Sequence, residues 1–382
     1  MKIGMMIDTF LPNIGGAEIH VLELSRALHA RGHHITICTA TTWGDVPGKD
    51  EIPVLRLSGM SAGGWQALLR VPANLHRMIR FIRNVDVIHC HYSFLFAALG
   101  TFLGRLLGKR TLITLHGLGT LDSSVSASIL FRFYRFVSMK CAHLIIATSD
   151  EMRRVALRFA ADPKISVIPN GVDTGRFTPM KKPGADEKVI LSMRRLAPKN
   201  GVQYLIEAAP EIVRAVPRVR FWITGKGKLE THVRRRVAQL GLDDNVRFLG
   251  LIPHDETPHY YQQADVVVFP SSAESTSLAC LEAMAMGKAV VASGLAAYRE
   301  MLGQDERGLL VELFNRQHSD YAAPMTLPVD RISRLAGAII RLCKDERLSR
   351  RLGKAARQHV QEHYDWQHIA GQIEKLYRGR PA

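Results

Sequence analysis

The strongest constraint on the fold is an alternation of short β-branched runs with longer amphipathic stretches, which occurs twice along the 382 residues. In the first series we predict strands at residues 3–7, 35–39, 85–89, 111–115, 143–147 and 165–168. The predicted helix 17–30 places Val21, Leu24 and Leu28 on one face. Alternation of this kind is typical of a parallel sheet covered by helices.

The second series predicts strands at residues 189–193, 220–224, 246–249, 266–270 and 289–292, with helices at 202–216, 228–241 and 278–286. Residues 177–186, between the two series, contain prolines and a glycine without apolar periodicity, which indicates a linker. We therefore expect an N-terminal domain at 1–178, a second domain at 179–363 and, within 364–382, an amphipathic helix at 366–377 that crosses back. Both domains are expected to be doubly wound α/β sheets facing a central cleft, with ligands at the carboxyl ends of the strands.

Cysteine usage and hydrophobicity place the chain among cytoplasmic globular proteins. The five cysteines are far apart and lack metal-ligand spacing, so neither disulfides nor structural zinc is expected. The most apolar window, 94–107, is shorter than the roughly 20 residues needed to cross a bilayer. The first ten residues, MKIGMMIDTF, predict a strand rather than a signal peptide.

The net charge of +16 favours anionic partners, whether nucleic acid, phosphorylated molecules or acidic lipid. No zinc-finger spacing or aromatic RNA-binding strand accompanies the charge. The longest basic run, the arginines at 234–236, lies in a polar helix and is interpreted as a solvated face. A nucleic-acid-binding protein remains an alternative supported by charge alone, and we expect no nucleic-acid partner.

Two glutamates eight residues apart, Glu274 and Glu282, flank a predicted helix start. Ser277 is the predicted N-cap, directly after the small hydroxyl residues Ser275 and Thr276. Free backbone N–H groups and the positive end of the helix dipole make such a terminus an anion site.

Glu282 is placed about one and a half turns into this helix, roughly 7 Å along its axis. That distance matches the reach from a diphosphate to the ribose of its nucleoside. A carboxylate there can accept both ribose hydroxyls, while Glu274 can accept hydroxyls beyond the phosphates. The alternative is that Glu282 is an ordinary surface residue of the helix and that Glu274 is a loop residue beside the cap.

Further motifs occur in a fixed order around this segment, which reads PSSAESTSLACLEAMAMGKAVVAS. They are FLPNIGGAE at 10–18, DVIHCH at 86–91, TLHG at 114–117, IPNGVD at 168–173, RRLAPKNG at 194–201, TGKG at 224–227 and VRFLG at 246–250. Together they resemble the retaining family 4 glycosyltransferases of GT-B fold over about residues 3–312.

The resemblance implies transfer of a sugar from a UDP- or GDP-sugar to an acceptor hydroxyl, with retention and without a metal or other cofactor. The first domain would be the acceptor side and the second would bind the donor. The implied catalytic residues are His116, Glu274, Arg195 and Lys199. The implied donor-binding residues are Gly15, Gly16, Arg194, Gly225, Ser275, Thr276, Ser277, Leu278 and Glu282.

Three departures from the family pattern qualify these roles. The family lysine before the glycine is Asn200 here, so either Arg195 acts with a shifted Lys199 or Arg194 and Lys199 form the pair. The usual Gly-Gly pair is replaced at 296–297 by two alanines, which leaves the role of Glu300 open. Ser275 and Thr276 stand where the family often has a Gly-Phe pair.

Histidines raise a separate question in the first domain. His116 follows a predicted strand and by the resemblance reaches the donor sugar; taken alone it is more typical of packing. His89 and His91 alternate on a strand, and two histidines without a third ligand do not predict a metal site.

The acceptor half is less specified than the donor half. Residues 68–83 and 131–136 mix aromatic or aliphatic side chains with arginines, which suits a surface that touches anionic lipid. The alternative is a core-facing helix with a basic outer rim. We expect a sugar or lipid-linked acceptor and attachment at the inner face of the cell membrane. Among rival enzymes, a sugar-nucleotide epimerase has a similar two-domain shape. A nicotinamide dehydrogenase is not indicated, because this sequence lacks the third glycine of the G-x-G-x-x-G motif that such enzymes use.

Overall fold

The computed structural model describes residues 1–12, 15–41, 52–57, 65–92, 94–117, 129–180, 187–315 and 324–380, without the side chains of 65–68. The chain forms two compact units, Met1–Gly171 with Trp366–Ala382, and Val172–Asp365. The predicted boundaries at 178 and 364 fall a few residues from these. Residues 13–14 of the glycine motif and 181–186 of the predicted linker lie outside the described residues. Phe177, at the start of that linker, is a core residue of the second unit.

The first unit is built on a parallel sheet. Its described strands are β1 Lys2–Ile7, β2 His34–Thr39, β3 Val54–Arg56, β4 Val87–His91, β5 Arg110–Leu115, β6 Leu144–Ala147 and β7 Ile165–Val167. Their order is β3-β2-β1-β4-β5-β6-β7, so the winding direction reverses between β1 and β4. β4 begins two residues later than predicted, which places His91 at the end of the strand.

Helices connect these strands. They are α1 Gly16–Ala30, α2 Trp65–Arg83, α3 Leu95–Leu106, α4 Ile129–Cys141 and α5 Asp150–Ala156.

The second unit repeats the plan. Its described strands are β8 Lys188–Ser192, β9 Val219–Thr224, β10 Val246–Gly250, β11 Val266–Phe269, β12 Ala289–Ser293 and β13 Leu309–Val311. Its helices are α6 Val202–Ala215, α7 Glu230–Gln239, α8 Thr257–Gln263, α9 Leu278–Ala285, α10 Ala296–Leu302, α11 Val329–Lys344 and α12 Glu346–His363. The parallel order β10-β9-β8-β11-β12-β13 reverses direction between β8 and β11.

The last helix, α13 Trp366–Tyr377, has the predicted bounds and belongs to the first unit, where it packs on α1. Its Tyr377 hydroxyl lies 2.7 Å from Nδ1 of His89.

Burial on both faces of the sheets explains why the strands are so rich in β-branched residues. Every residue of β11 is buried, as expected for a parallel strand covered by helices on both sides. Apolar side chains pack on either face of the second sheet, including Val266 and Val268 on one side and Val267 and Phe269 on the other. The predicted class, two doubly wound α/β domains, is confirmed.

The predicted solvated face of the 234–236 arginine run is observed on α7. Arg234 bonds to Glu230 and Arg236 to Glu207, so two of the three charges are neutralised by carboxylates of the same unit.

Asp8, directly after β1, joins the first sheet to α3. The residue before α3, Phe94, has no side-chain capping group, and the backbone N–H of Phe96 instead donates to the buried carboxyl group of Asp8. Burial raises the pKa of Asp8 to about 7, against the opposing effect of these backbone hydrogen bonds. The folded protein therefore holds this carboxyl group protonated over a range in which an unfolded chain releases the proton.

Replacing Asp8 by Asn should change how stability depends on pH. Because the pKa is raised from 3.8 to about 7, the folded state loses stability as pH rises through this window, by on the order of 4 kcal/mol in full. Asn keeps an acceptor for Phe96 and does not ionise. We expect the melting temperature of Asp8→Asn minus that of wild type to be larger at pH 7.5 than at pH 5.

Thermal melts at the two pH values measure the effect, with the exposed Asp150→Asn as the matched control. An offset between Asp8→Asn and wild type that is the same at both pH values would contradict this account.

Candidate functional site

The winding reversal of the second sheet brings two distant loops together. β8 and β11 are paired neighbours, with Val267 opposite Leu191. Arg194 follows the carboxyl end of β8, and Glu274 follows that of β11. Because helices leave these strands toward opposite faces, the reversal opens a crevice into which both side chains can reach.

Arg194 is the centre of the polar contacts in this crevice. Its guanidinium pairs with the carboxylate of Glu274. It also donates to Oγ of Ser277 at 2.9 Å, to Oδ1 of Asn200 at 3.0 Å and to Oγ of Ser271 at 3.2 Å. The side chains of Arg194 and Glu274 are only 11% and 13% exposed, so this is a nearly buried ion pair.

Electrostatics in the crevice keep both partners charged. Burial lowers the pKa of Arg194, but the charge of Glu274, its hydrogen bond to Arg194 and the nearby Tyr298 together outweigh burial, and the net shift is upward. Burial raises the pKa of Glu274, and the charges of Arg194 and Lys199 reverse the shift to a lower value. The pKa of Lys199 is lowered by burial, with neighbouring arginines adding to the effect. One carboxylate thus lies among several cations, which leaves net positive charge for a bound anion.

The structure distinguishes the two adjacent arginines of the RRLAPKNG motif. Arg194 contacts Glu274, whereas the side chain of Arg195 is exposed to solvent. Asn200, at the position of the family lysine, accepts from Arg194 and donates to the backbone oxygen of Arg195. The pairing of Arg194 with Lys199 is therefore the one that the fold brings into the crevice, and the catalytic role of Arg195 stays a prediction.

Two glycines allow the loop that carries Arg194 to take this path. Gly225 has φ +82°, and a Cβ there would lie 2.3 Å from the backbone oxygen of Arg194. Gly201 has φ +75°, and its Cβ would lie 2.0 Å from the oxygen of Pro270. Any side chain at either position would push the loops apart.

The start of α9 forms the floor of the crevice. Oγ of Ser277 accepts from the backbone N–H of Cys280 at 3.4 Å, which confirms the predicted N-cap. Ser275 and Thr276 are buried beside it, and Leu278 begins the helix. Since Ser277 also accepts from Arg194, a fixed cation stands at the positive end of the helix dipole.

Glu282 lies on α9 and is held by two partners. Its Oε1 lies 2.8 Å from Nε2 of His254, and its Oε2 lies 3.0 Å from the hydroxyl of Tyr261. The side chain is only 8% exposed. Burial raises the pKa of Tyr261 well above its usual value, with Glu282 adding to the shift, so Tyr261 is a neutral donor to the carboxylate.

Arg176 lies against the ring of His254. Its Nη2 lies 3.2 Å from Nδ1 and 3.5 Å from Nε2 of that ring, so a guanidinium stands beside the histidine that contacts Glu282. Sequence analysis missed His254 and Tyr261, because they precede Glu282 by 28 and 21 residues and belong to no motif.

The alanines at 296–297 begin α10 rather than a glycine loop. Glu300 is exposed on this helix, whereas Tyr298, two residues earlier, is buried and its hydroxyl lies 3.2 Å from Oγ of Ser271. Tyr298 thus joins the polar network of Arg194 through Ser271, another contact that sequence analysis missed.

Four histidines of the first unit meet beside the carboxyl ends of β4 and β5. Nδ1 of His91 lies 2.9 Å from Nε2 of His116, and His20 of α1 packs edge-on against both rings. His89 lies behind His91, with ring centroids 4.4 Å apart. Nitrogens of His20, His91 and His116 all lie within 4.8 Å of one another, a grouping that the sequence did not predict. His89 is not part of this grouping, and the expectation that His89 and His91 do not form a metal site stays a prediction.

Burial keeps these rings neutral at physiological pH. It lowers the pKa of His20 to about 4 and that of His89 to about 3, and the pKa values of His91 and His116 lie well below normal. Gly15 and Gly16 lie at the start of the helix that carries His20, as N-cap and first helical residue. Both form the entry to α1 beside the reversal point of the first sheet.

Comparison with known proteins identifies the family. Residues 14–176 match Glycosyltransferase Family 4, and residues 176–359 match Glycosyl transferases group 1. The phosphatidyl-myo-inositol mannosyltransferase of Mycolicibacterium smegmatis is 30% identical over 99% of this chain and 93% of its own length. The chain belongs to glycosyltransferase family 4. The glycosyltransferase has the expected GT-B fold, and the epimerase alternative is not favoured by these matches.

Two further comparisons add detail. One component of the human phosphatidylinositol N-acetylglucosaminyltransferase is 30% identical over 80% of this glycosyltransferase, which spans 64% of the human protein. The solved structure of HepE from Anabaena, in complex with UDP and glucose, superposes with a TM-score of 0.78 at 20% identity and covers 99% of both chains. Among the described residues, no helix has both the length and the apolar character needed to cross a membrane.

The ion pair at the centre of the crevice should be strongly coupled. Arg194→Met leaves Glu274 buried without its main partner, a change that costs about 3–5 kcal/mol. We expect Arg194→Met to lower the free energy of unfolding by this order, and the double variant Arg194→Met/Glu274→Gln to recover most of the loss. Denaturant unfolding of the four proteins in the cycle measures the coupling.

The matched control is Arg350→Met, which breaks an exposed pair with Glu346 and should cost less than about 1 kcal/mol. Additive effects of the two substitutions in the crevice would show that the pair is not coupled.

Proposed function

We propose that this protein is a retaining glycosyltransferase that moves a sugar from a UDP- or GDP-sugar to a hydroxyl group of a lipid-linked or sugar acceptor, without a metal ion. The observation that carries the proposal is the crevice at the reversal point of the second sheet. There Arg194, Lys199 and the capped start of α9 surround one carboxylate, and a second, buried carboxylate follows along the same helix.

The donor would bind with its diphosphate at the start of α9. Ser275, Thr276 and Ser277 let phosphate oxygens approach the backbone N–H groups. Arg194 and Lys199 add positive charge, and the exposed Arg195 is close enough to influence Lys199. The solved structure of HepE holds UDP, which supports a nucleoside diphosphate as the ligand.

The two glutamates would then take different parts of the donor. Glu282 accepts from the ribose hydroxyls, and His254 and Tyr261 hold its carboxylate in place from behind. Glu274 accepts from hydroxyls of the donor sugar, which requires the sugar to compete with Arg194 for its oxygens. Gly15 and Gly16, and His116 of the histidine cluster, are assigned to the diphosphate and to the sugar from the family resemblance.

The chemistry follows from this distribution of charge. Breaking the glycosidic C–O bond builds negative charge on the leaving diphosphate. Fixed cations and helix N–H groups stabilise that charge more in the transition state than in the ground state. Arg194 and Lys199 would thus do the work that a divalent ion does in other enzymes, which is the basis for proposing a metal-independent reaction.

A surface of the first unit supports a lipid-linked acceptor. α2, α3 and α4 contain no acidic residue, and each carries at least one arginine. The helices α3 and α4 also expose large apolar side chains, of which Leu106 is 71%, Phe133 60% and Phe136 63% exposed. Apolar side chains among cations suit an anionic membrane surface at the inner face of the cell membrane. Both relatives described above are named for phosphatidylinositol lipids.

The donor assignment predicts distinct effects for the two glutamates. Each hydrogen bond to a charged group contributes about 1.5–3 kcal/mol, so Glu282→Ala should weaken nucleotide binding by tenfold or more. Glu274→Ala should instead lower turnover with a smaller effect on binding. Thermal shifts with UDP-, GDP- and ADP-sugars select the donor, and calorimetry and transfer assays then compare the variants.

The exposed Glu362→Ala serves as the matched control. Equal and small effects of both variants would contradict the assignment. Transfer that requires a divalent ion after chelator treatment would contradict metal independence, and an inverted anomeric configuration in the product would contradict retention.

Membrane attachment predicts that Phe133→Ser/Phe136→Ser lowers co-sedimentation with phosphatidylglycerol vesicles, while the exposed Val329→Ser of the second unit leaves it unchanged. Vesicle binding should also decrease as the salt concentration rises, and the effect of the two substitutions should add to that decrease. The reason is that binding combines apolar insertion with electrostatic attraction. Absence of wild-type binding to these vesicles at low salt would remove the membrane proposal.

A further inference from the structure

The three histidines of the first unit that share a nitrogen cluster, His20, His91 and His116, come from three separate elements. His20 lies on α1, His91 ends β4 and His116 follows β5. β4 and β5 are adjacent parallel strands, with His91 opposite Thr114. The sheet register and the packing of α1 therefore bring the three rings together.

His20 has a lone pair that nothing in the described structure uses. Its Nδ1 lies 2.8 Å from the amide oxygen Oδ1 of Asn170, so Nδ1 carries the proton and donates. Its Nε2 is buried and has no hydrogen-bond partner among the described residues. The whole side chain is only 1% exposed, so water does not compensate this acceptor at the surface.

The contact with Asn170 is also the type of support that metal-binding histidines have. A metal-ligating histidine usually donates its other ring N–H to an oxygen acceptor, which fixes the tautomer and the ring orientation. Asn170 supplies that acceptor for His20 and leaves Nε2 available as a ligand atom.

The spacing of the cluster suits a small transition-metal ion. Nitrogens bound to Zn²⁺ at about 2.0–2.1 Å with tetrahedral angles lie roughly 3.3 Å apart. In the cluster, Nδ1 of His91 and Nε2 of His116 are 2.9 Å apart, and one nitrogen of each of the three residues lies within 4.8 Å of the others. Small rotations of the rings would bring all three to ligand distance.

We propose that His20, His91 and His116 form a binding site for a single Zn²⁺ ion, with the fourth coordination position open. Imidazole favours zinc over calcium or magnesium, and a three-histidine set with an open position is a known zinc geometry. His116 is partly exposed, so it provides the side from which the ion enters. On binding, the proton shared by His91 and His116 moves to the far nitrogen of the ring that carries it.

The site has a consequence for transfer, which rests on the proposed function. His116 is the residue assigned to the donor sugar, and a bound Zn²⁺ would take up one of its two ring nitrogens. We therefore expect the ion to inhibit transfer rather than to support it, and the proposed reaction remains metal-independent.

The test is a Zn²⁺ titration of the whole protein in competition with a chromophoric chelator. We expect one ion per wild-type chain and at least about tenfold weaker binding in His20→Gln and in His116→Gln, since even the loss of outer-shell partners weakens metal sites 10–100-fold. The matched control is His76→Gln, an exposed histidine of the same unit, which should bind as wild type does. Co²⁺ in place of Zn²⁺ should give the intense visible absorption of a four-coordinate ion.

Circular dichroism and thermal melts establish whether each variant is folded. If His20→Gln does not fold, the partly exposed His116→Gln still tests the site. Absence of Zn²⁺ binding, or unchanged affinity in folded His116→Gln, would overturn the proposal. The titration does not depend on catalysis, so a failure to detect sugar transfer would refute the proposed function and leave this site standing.

Discussion

The second unit depends on one buried electrostatic arrangement, the ion pair of Arg194 and Glu274. Charges removed from water cost several kcal/mol each unless they are paired and hydrogen-bonded. Here Ser271, Ser277 and Asn200 accept from Nη1 and Nη2 of the guanidinium, and the backbone N–H of Ser275 donates to Glu274, whereas the buried Nε of Arg194 has no hydrogen-bond partner among the described residues. These contacts help the polar loops to lie against the apolar sheet.

The two units place opposite chemistry at the equivalent end of their sheets. In the second unit the carboxyl ends of β8 and β11 lead to charged groups held by each other. In the first unit the corresponding region holds neutral rings, since burial keeps His20, His89, His91 and His116 unprotonated. A charged crevice is suited to a diphosphate, and a cluster of neutral imidazoles is suited to hydroxyl groups or to an ion such as Zn²⁺.

Sequence patterns were sufficient where the determining interactions are local. The alternation of strands and helices, the cap at Ser277 and the bounds of α13 depend on neighbours within a few residues, and all three were predicted. The patterns failed where contacts join distant segments. His20 meets Asn170 across 150 residues, and no periodicity records that contact.

The choice between Arg194 and Arg195 shows the same limit at short range. Adjacent residues after a strand point in different directions, and the path of the loop decides which one enters the crevice. That path depends on close approaches at Gly225 and Gly201, whose partners lie 31 and 69 residues away along the chain (225 − 194 and 270 − 201). Only the folded structure shows that Arg194 is the buried one.

The central claim is that the donor nucleotide binds where α9 begins. A crystal structure of the protein soaked with UDP or GDP tests it most directly. The account predicts phosphate oxygens beside Ser277 and Arg194, with the ribose hydroxyls on the carboxylate of Glu282. A nucleotide bound elsewhere, or a Glu282 that contacts only His254 and Tyr261 in the complex, would contradict it.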